Sequence, residues 1–335
     1  MMRWMMLCSL MLLSLTAQAD CQTARLAPGV NLAGAEFNAS KLPGKLYFDF
    51  VYPSTTDLEY YAQKGFRLIR LPITWERYQP TPYGALDSTN LAQFQRVLSF
   101  AADNDICLWL DLHNFGKYQG VSLEKTADAS AKLQDFWQQI VSAAGDKQNY
   151  LALGLMNEPA ALSRTNWFHI AQKAVLALRR AEITNLMIVS GGTWSGVHSW
   201  FSSSATDPSN AELFAGFQDP LNNMALDVHQ YADSNYSGTK VDCISSSRMD
   251  DFLSKIASWA SQNDKQLLMG EFGVAAQTDC LSVMEGMLTS MKAEPWRGWT
   301  YWAGGPWWGT YPFSIQPSNG EDKPQMLVIE RSMME

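Results

Sequence analysis

No run of lysine or arginine occurs in these 335 residues, which carry 25 basic against 33 acidic side chains and a formal net charge of -8. Nucleic acid and anionic membrane surfaces are therefore poor partners, and neutral or cationic ligands suit the chain better. Charge of either sign is scarce at 17% of residues, against 47% hydrophobic, a balance that excludes a disordered chain and predicts a compact one. No Pro/Ser/Thr linker or second composition block interrupts it, so a single domain is expected. Only one long, mainly apolar stretch exists, Met5 to Leu15, and it is shorter than the about 20 residues that a spanning helix needs. Arg3 precedes it and an A-x-A site at Ala17 to Ala19 follows, so residues 1–19 read as a secretory signal peptide and residues 20–335 as an exported protein without a membrane span.

Motifs are missing as well. No G-x-G-x-x-G or G-x-x-x-x-G-K-[ST] follows any apolar run, which argues against a doubly wound nucleotide-binding sheet. H-E-x-x-H is absent, as is the G-x-S-x-G elbow of serine hydrolases. Cysteine is sparse: Cys8 leaves with the signal, and Cys21, Cys107, Cys243 and Cys280 remain. Cys107 sits in an apolar run and reads as a buried thiol, whereas a Cys243–Cys280 disulfide is the favoured pairing in an oxidising compartment.

What is present is a repeat of one unit: a short apolar run, a polar and aromatic loop, then an amphipathic helix. The strand candidates number eight: Val30 to Ala33, Arg67 to Leu71, Cys107 to Leu112, Leu151 to Met156, Leu186 to Val189, Ala225 to Val228, Gln266 to Gly270 and Gly298 to Tyr301. Helices are predicted at Leu91 to Asn104, Ala129 to Gly145, Thr165 to Ala181, Arg248 to Asn263, Cys280 to Glu294 and from Pro324 onward. Eight such units predict an α/β fold, a (β/α)8 TIM barrel, whose active site lies at the C-terminal strand ends.

Polar and aromatic residues follow nearly every run: Arg70; His113 and Asn114; Asn157 and Glu158; Trp194; His229 and Tyr231; Glu271; and Trp302. Each singly has a bland explanation, since a lone histidine at a strand end is commonly structural and a lone glutamate solvated. Their convergence on one face of a barrel points to catalysis instead. Glu158 and Glu271, on the fourth and seventh strands, face one another across a closed barrel, and two opposed carboxylates are what glycosidic bond cleavage uses. His113 and His229 with two acids make a metal site conceivable, but the surrounding amides and aromatics suit a sugar better, and no cofactor is expected. Trp75, Trp194, Trp200, Trp302, Trp307 and Trp308 fall at or after strand ends, where indoles can stack on pyranose faces. His169 and His198 have no motif company.

Through nearly the whole mature chain, the sequence resembles glycoside hydrolase family 5, in its endo-β-1,4-glucanase branch. The segments that carry the likeness are GVNLAGAEF (29–37), RLPITWERYQP (70–80), WLDLHNFGKY (109–118), GLMNEP (154–159), DVHQY (227–231), MGEFG (269–273) and YWAGGPWWG (301–309). The resemblance implies Glu158 as acid/base, Glu271 as nucleophile, and Asn157 as the amide for the sugar 2-hydroxyl. It places Arg70 and Tyr231 on the nucleophile, His229 beside the acid/base, His113 against the sugar and Trp302 beneath it. It also implies a secreted, monomeric, cofactor-free enzyme acting on a β-1,4-glucan. A mannanase, xyloglucanase or mixed-linkage glucanase of the same family, or a non-catalytic carbohydrate-binding barrel, remain alternatives.

Overall fold

Alternation along the apolar runs decides the architecture, because successive side chains of a strand point to opposite faces and here both faces are covered. In the segment Cys107-Leu-Trp-Leu-Asp-Leu112, Cys107 and Trp109 pack inward with Leu68, Ala152, Ile188, Ala225 and Leu268. Leu108, Leu110 and Leu112 join a separate, larger core that lies between strands and helices. The computed structural model describes residues 20–22 and 25–334. Its strands are β1 (Gly29–Leu32), β2 (Leu68–Ile73), β3 (Cys107–Leu112), β4 (Leu151–Gly154), β5 (Met187–Ser190), β6 (Met224–His229), β7 (Leu267–Phe272) and β8 (Trp296–Gly304). All eight pair in parallel in chain order, and β8 closes the ring on β1. The predicted (β/α)8 barrel is the observed fold.

A helix follows each strand: α1 (Thr55–Gln63), α2 (Ser88–Asp103), α3 (Ala129–Ala144), α4 (Arg164–Arg180), α5 (Asn210–Phe214), α6 (Ser246–Gln262), α7 (Thr278–Ser290) and α8 (Pro324–Met334). Side-chain caps start several of them, Ser54 with a full capping box on α1, Asp87 on α2, Ser163 on α4 and Ser245 on α6. The sequence reading missed α1, whose Thr-Thr start is weakly helical and which buries only Leu58 and Tyr61. It also missed a small hairpin pairing Lys117–Tyr118 with Val121–Ser122.

Two disulfides form. Cys243 bonds Cys280 as expected. Cys107, by contrast, is not a free thiol: it bonds Cys21 across 86 residues of sequence. Cys107 opens β3 at the N-terminal mouth of the barrel, and the leading segment runs past that mouth, held by Cys21 N–H to Asn149 O (3.0 Å) and Leu26 N–H to Arg297 O (2.8 Å). That path brings Cys21 to the strand, and nothing local in the sequence around Cys107 records it. Among the described residues, no helix is long and apolar enough to cross a membrane. The expected signal peptide lies outside the described residues.

Candidate active site

The inward parity of the strands, carried past the apolar layers, reaches polar side chains at the C-terminal ends: Arg70 on β2, Asp111 on β3, Ser190 on β5 and Asp227 on β6. Arg70 is fully buried, with its guanidinium 4.9 Å from the centre of the Trp109 ring beneath it. Trp109 fits because Gly270 has no side chain. A Cβ there would lie 2.7 Å from the indole and 2.0 Å from Asp227 Oδ1.

From this platform Arg70 reaches four neighbours. Its Nη1 donates to Glu271 Oε1 (2.7 Å) and Asn31 Oδ1 (2.8 Å), its Nη2 donates to Asn157 Oδ1 (2.7 Å), and Nη2 also forms an ion pair with Asp111 Oδ2 at 3.0 Å. The other oxygen of Glu271 accepts from the Tyr231 hydroxyl at 2.6 Å. His229 lies between the two acids, with Nδ1 2.7 Å from Glu158 Oε1 and 3.7 Å from Glu271 Oε2, while Nε2 faces Asp227 at 3.2 Å. His113 is held in the same way by Asp111 at 2.8 Å, and its Nε2 lies 3.2 Å from the Asn157 amide nitrogen.

Glu158, Glu271 and His229 each bring one donor atom to within 4.8 Å of the other two. Three such ligands could hold a cation by distance alone. Both oxygens of Glu271 are already engaged, however, and the fixed charge of Arg70 beside it repels a second cation. The arrangement suits instead two carboxyls facing across a gap open to a substrate, since the Glu158 side chain retains 15% of its exposure.

The two acids differ electrostatically. Burial raises the Glu158 pKa above the usual carboxylate value, with a contribution from Glu271, and the hydrogen bond from His229 does not offset it. Burial would raise Glu271 too, but the charges on His229 and Arg70, with help from His113 and Tyr231, hold it below its usual value. His229 is pushed well above the ordinary imidazole value, because Glu271 and Asp227 outweigh the opposing effect of burial. One carboxyl is thus biased to keep its proton and the other to lose it.

Trp302 stands half-buried at the end of β8, its ring stacked on His113 at a centroid distance of 5.7 Å, and Trp308 abuts it edge-on at 5.7 Å. Trp308 itself stacks on Tyr311 at 4.6 Å. Trp307 (47% exposed) and Trp194 (57% exposed) stand on the rim, the latter on a turn after β5 that continues into a β-bridge between Gly196 and His229. Trp75 and Trp200 do not belong to this group. Both are fully buried, Trp75 stacked on Tyr118 and Trp200 packed against Trp259. Asn114 faces away from the acids, its amide accepting from Trp75 N–H (2.7 Å) and donating to Glu76 (2.7 Å). His169 is exposed, and so is His198, whose backbone N–H donates to Gln230 Oε1 (2.9 Å) and whose ring stacks on Tyr236.

Sequence reasoning overlooked Asn31, Asp111 and Asp227. Asn31 supports Arg70 and donates to Gly270 O at 2.8 Å, tying β1 to β7. The two aspartates orient the two histidines. The signal was available: each is a charged residue at inward parity two positions before a strand-end histidine, in Asp111-Leu-His113 and Asp227-Val-His229.

Known proteins are similar to this chain in sequence and fold. The family model described as "Cellulase (glycosyl hydrolase family 5)" matches residues 30–306. An endoglucanase of Neurospora crassa is 31% identical over 87% of this chain and 73% of its own length. The solved structure of XacCel5A with cellopentaose is 40% identical and superposes with a TM-score of 0.87, covering 92% of this chain and 100% of that one. An endo-β-1,4-glucanase of Xanthomonas axonopodis pv. citri is 37% identical with a TM-score of 0.87, over 91% and 97% of the two chains. On the extent of these matches, the chain belongs to the cellulases of glycosyl hydrolase family 5.

Proposed function

We propose that the chain is a secreted, retaining endo-β-1,4-glucanase in which Glu271 is the nucleophile and Glu158 the acid/base. The observation that carries this reading is the short gap, with one oxygen of each carboxyl within 4.8 Å of the other. Retaining glycosidases keep their carboxyls about 5 to 5.5 Å apart, whereas inverting ones leave about 6.5 to 9.5 Å for a water molecule. Glu271, ionised beside Arg70 and Tyr231, attacks the anomeric carbon as Glu158 gives its proton to the departing glycosidic oxygen. The glycosyl ester on Glu271 is then hydrolysed by water, from which Glu158 takes a proton. Asn157, with its carbonyl fixed by Arg70, turns its NH2 group toward the 2-hydroxyl, where a hydrogen bond strengthens as positive charge develops on the ring. Trp302 provides a stacking face for that sugar, and Trp194, Trp307 and Trp308 offer further aromatic surface around it.

A β-1,4-glucan as substrate is supported by the printed identities of the relatives, several named as endoglucanases and one solved with cellopentaose. Two disulfides fit an oxidising compartment, in keeping with export.

The test is rescue by azide. Glu271→Ala should lose essentially all turnover of an aryl cellobioside, and azide should restore it with an α-glycosyl azide as product, because the small anion attacks from the vacated nucleophile position. In Glu158→Ala azide should give the β product instead. The reverse pattern would exchange the two roles. Comparing hydrolysis of carboxymethylcellulose, mannan and xylan tests the substrate, and a preference for mannan or xylan overturns the glucanase assignment.

A further inference from the structure

We infer that the loop from Asp233 to Cys243, between β6 and α6, is a positioning device for the nucleophile that acts through the ring of Tyr231. This rests on the reading of Glu271 as nucleophile. Asp233 is fully buried, and a carboxyl bears such burial only when hydrogen-bond partners surround it. The donors come from its own loop: the N–H groups of Gly238 (3.1 Å), Thr239 (3.0 Å) and Lys240 (3.0 Å), together with the Ser237 hydroxyl (3.2 Å). The segment is thereby folded around one buried carboxyl group. Its far end is pinned by the Cys243–Cys280 disulfide to α7 and by Ile244 N–H to Ala232 O at 2.8 Å.

What this rigid loop touches is the tyrosine. Gly238 has φ +71°, and a Cβ there would lie 2.8 to 3.0 Å from three atoms of the Tyr231 ring, so the glycine backbone rests directly on that ring. The hydroxyl of the same ring donates to Glu271 Oε2 at 2.6 Å. The Gly238 carbonyl in turn accepts from the Tyr311 hydroxyl at 2.8 Å, and Tyr311 stacks on Trp308. One backbone residue therefore connects the phenol that holds the nucleophile with the aromatic wall beside the cleft. A short hydrogen bond from phenol to carboxylate is charge-assisted and steep in distance, so a small ring displacement forfeits it.

A double-mutant cycle tests the idea, with Gly238→Ala, Tyr231→Phe and the pair assayed for kcat, KM and the pH profile of kcat/KM on a soluble β-1,4-glucan. Gly238→Ala should lower kcat about tenfold while KM changes less than about twofold, because the lost contact acts on the nucleophile rather than on substrate binding. The acid limb of kcat/KM should move to higher pH, since Glu271 loses a donor that favours its ionised form while Arg70, His229, His113 and Glu158 stay in place. In the Tyr231→Phe background the same substitution should cost less than about twofold, as coupled residues do not add. Tyr311→Phe keeps the ring and removes the hydroxyl's bond to Gly238 together with its hydrogen bond to the Trp302 side chain, so it should shift the same limb in the same direction by less, and it covers the case in which Gly238→Ala loosens the fold. Equal losses in both backgrounds, or an unmoved acid limb in both Gly238→Ala and Tyr311→Phe, overturn the inference. A wild-type chain that hydrolyses no β-glycan overturns the functional reading itself, an outcome distinct from either.

Discussion

Glu158 has a conformation and an environment that ordinary surface glutamates lack. It sits just past the β4 strand with φ +40°, a backbone region that non-glycine residues rarely adopt, and its carboxyl is placed where burial favours the neutral form. A group whose folded pKa is raised contributes stability that is present below its unfolded value and lost as pH rises through the folded one. Above its unfolded value Glu158 therefore costs stability relative to acid pH. Glu158→Gln mimics the neutral form, and it should raise the Tm measured at pH 7 relative to wild type while the gain vanishes toward pH 4. The same variant should hydrolyse glucan at a rate lower by roughly 100-fold or more, since general acid catalysis is worth about 10²–10⁴. An aryl cellobioside whose leaving group needs no proton should still form the glycosyl-enzyme, visible as a burst. No stability gain at pH 7 would contradict the raised pKa.

At the scale of elements, hydrogen bonds from side chains to loops hold the barrel's outer layer in register. Arg179, near the end of α4, places Nε and Nη2 on the two oxygens of Asp219, each at 2.7 Å, in the loop that precedes β6, and also donates to three backbone carbonyls. Both side chains are buried. Asp219→Ala leaves that guanidinium charged and uncompensated, so it should destabilise the fold by about 3–5 kcal/mol in urea denaturation. Its kcat at a temperature well below unfolding should be unchanged, because α4 and this loop carry none of the groups on the two catalytic carboxyls. The elements themselves were legible to different degrees. The helices from α2 to α4 and α6 to α8 announce themselves by apolar spacing, whereas α1 and the small hairpin bury too few side chains to leave a periodic trace.

At the scale of the whole molecule, the closed barrel keeps its two mouths apart in function. The Cys21–Cys107 disulfide staples the leading segment to the bottom of β3, and the catalytic residues crowd the opposite end. A loop of this size, 86 residues, contributes about 4.6 kcal/mol on the chain-entropy account. The double substitution Cys21→Ser with Cys107→Ser should lower unfolding stability by roughly that amount, and leave kcat/KM on carboxymethylcellulose unchanged. A large fall in kcat/KM would show that the two mouths are coupled. The sequence by itself determined the alternation of strand and helix, the closure implied by eight repeats and the residue types at each strand end, because hydrophobic period and strand-end chemistry are local properties of the chain. Only the tertiary structure decided that Cys107 pairs with Cys21, that Asn114 turns away to Trp75 and Glu76, and that Glu158 stands within 4.8 Å of Glu271. Those relations depend on the tilt and stagger of strands that meet only when the barrel closes, and residues far apart in sequence carry no local record of that register.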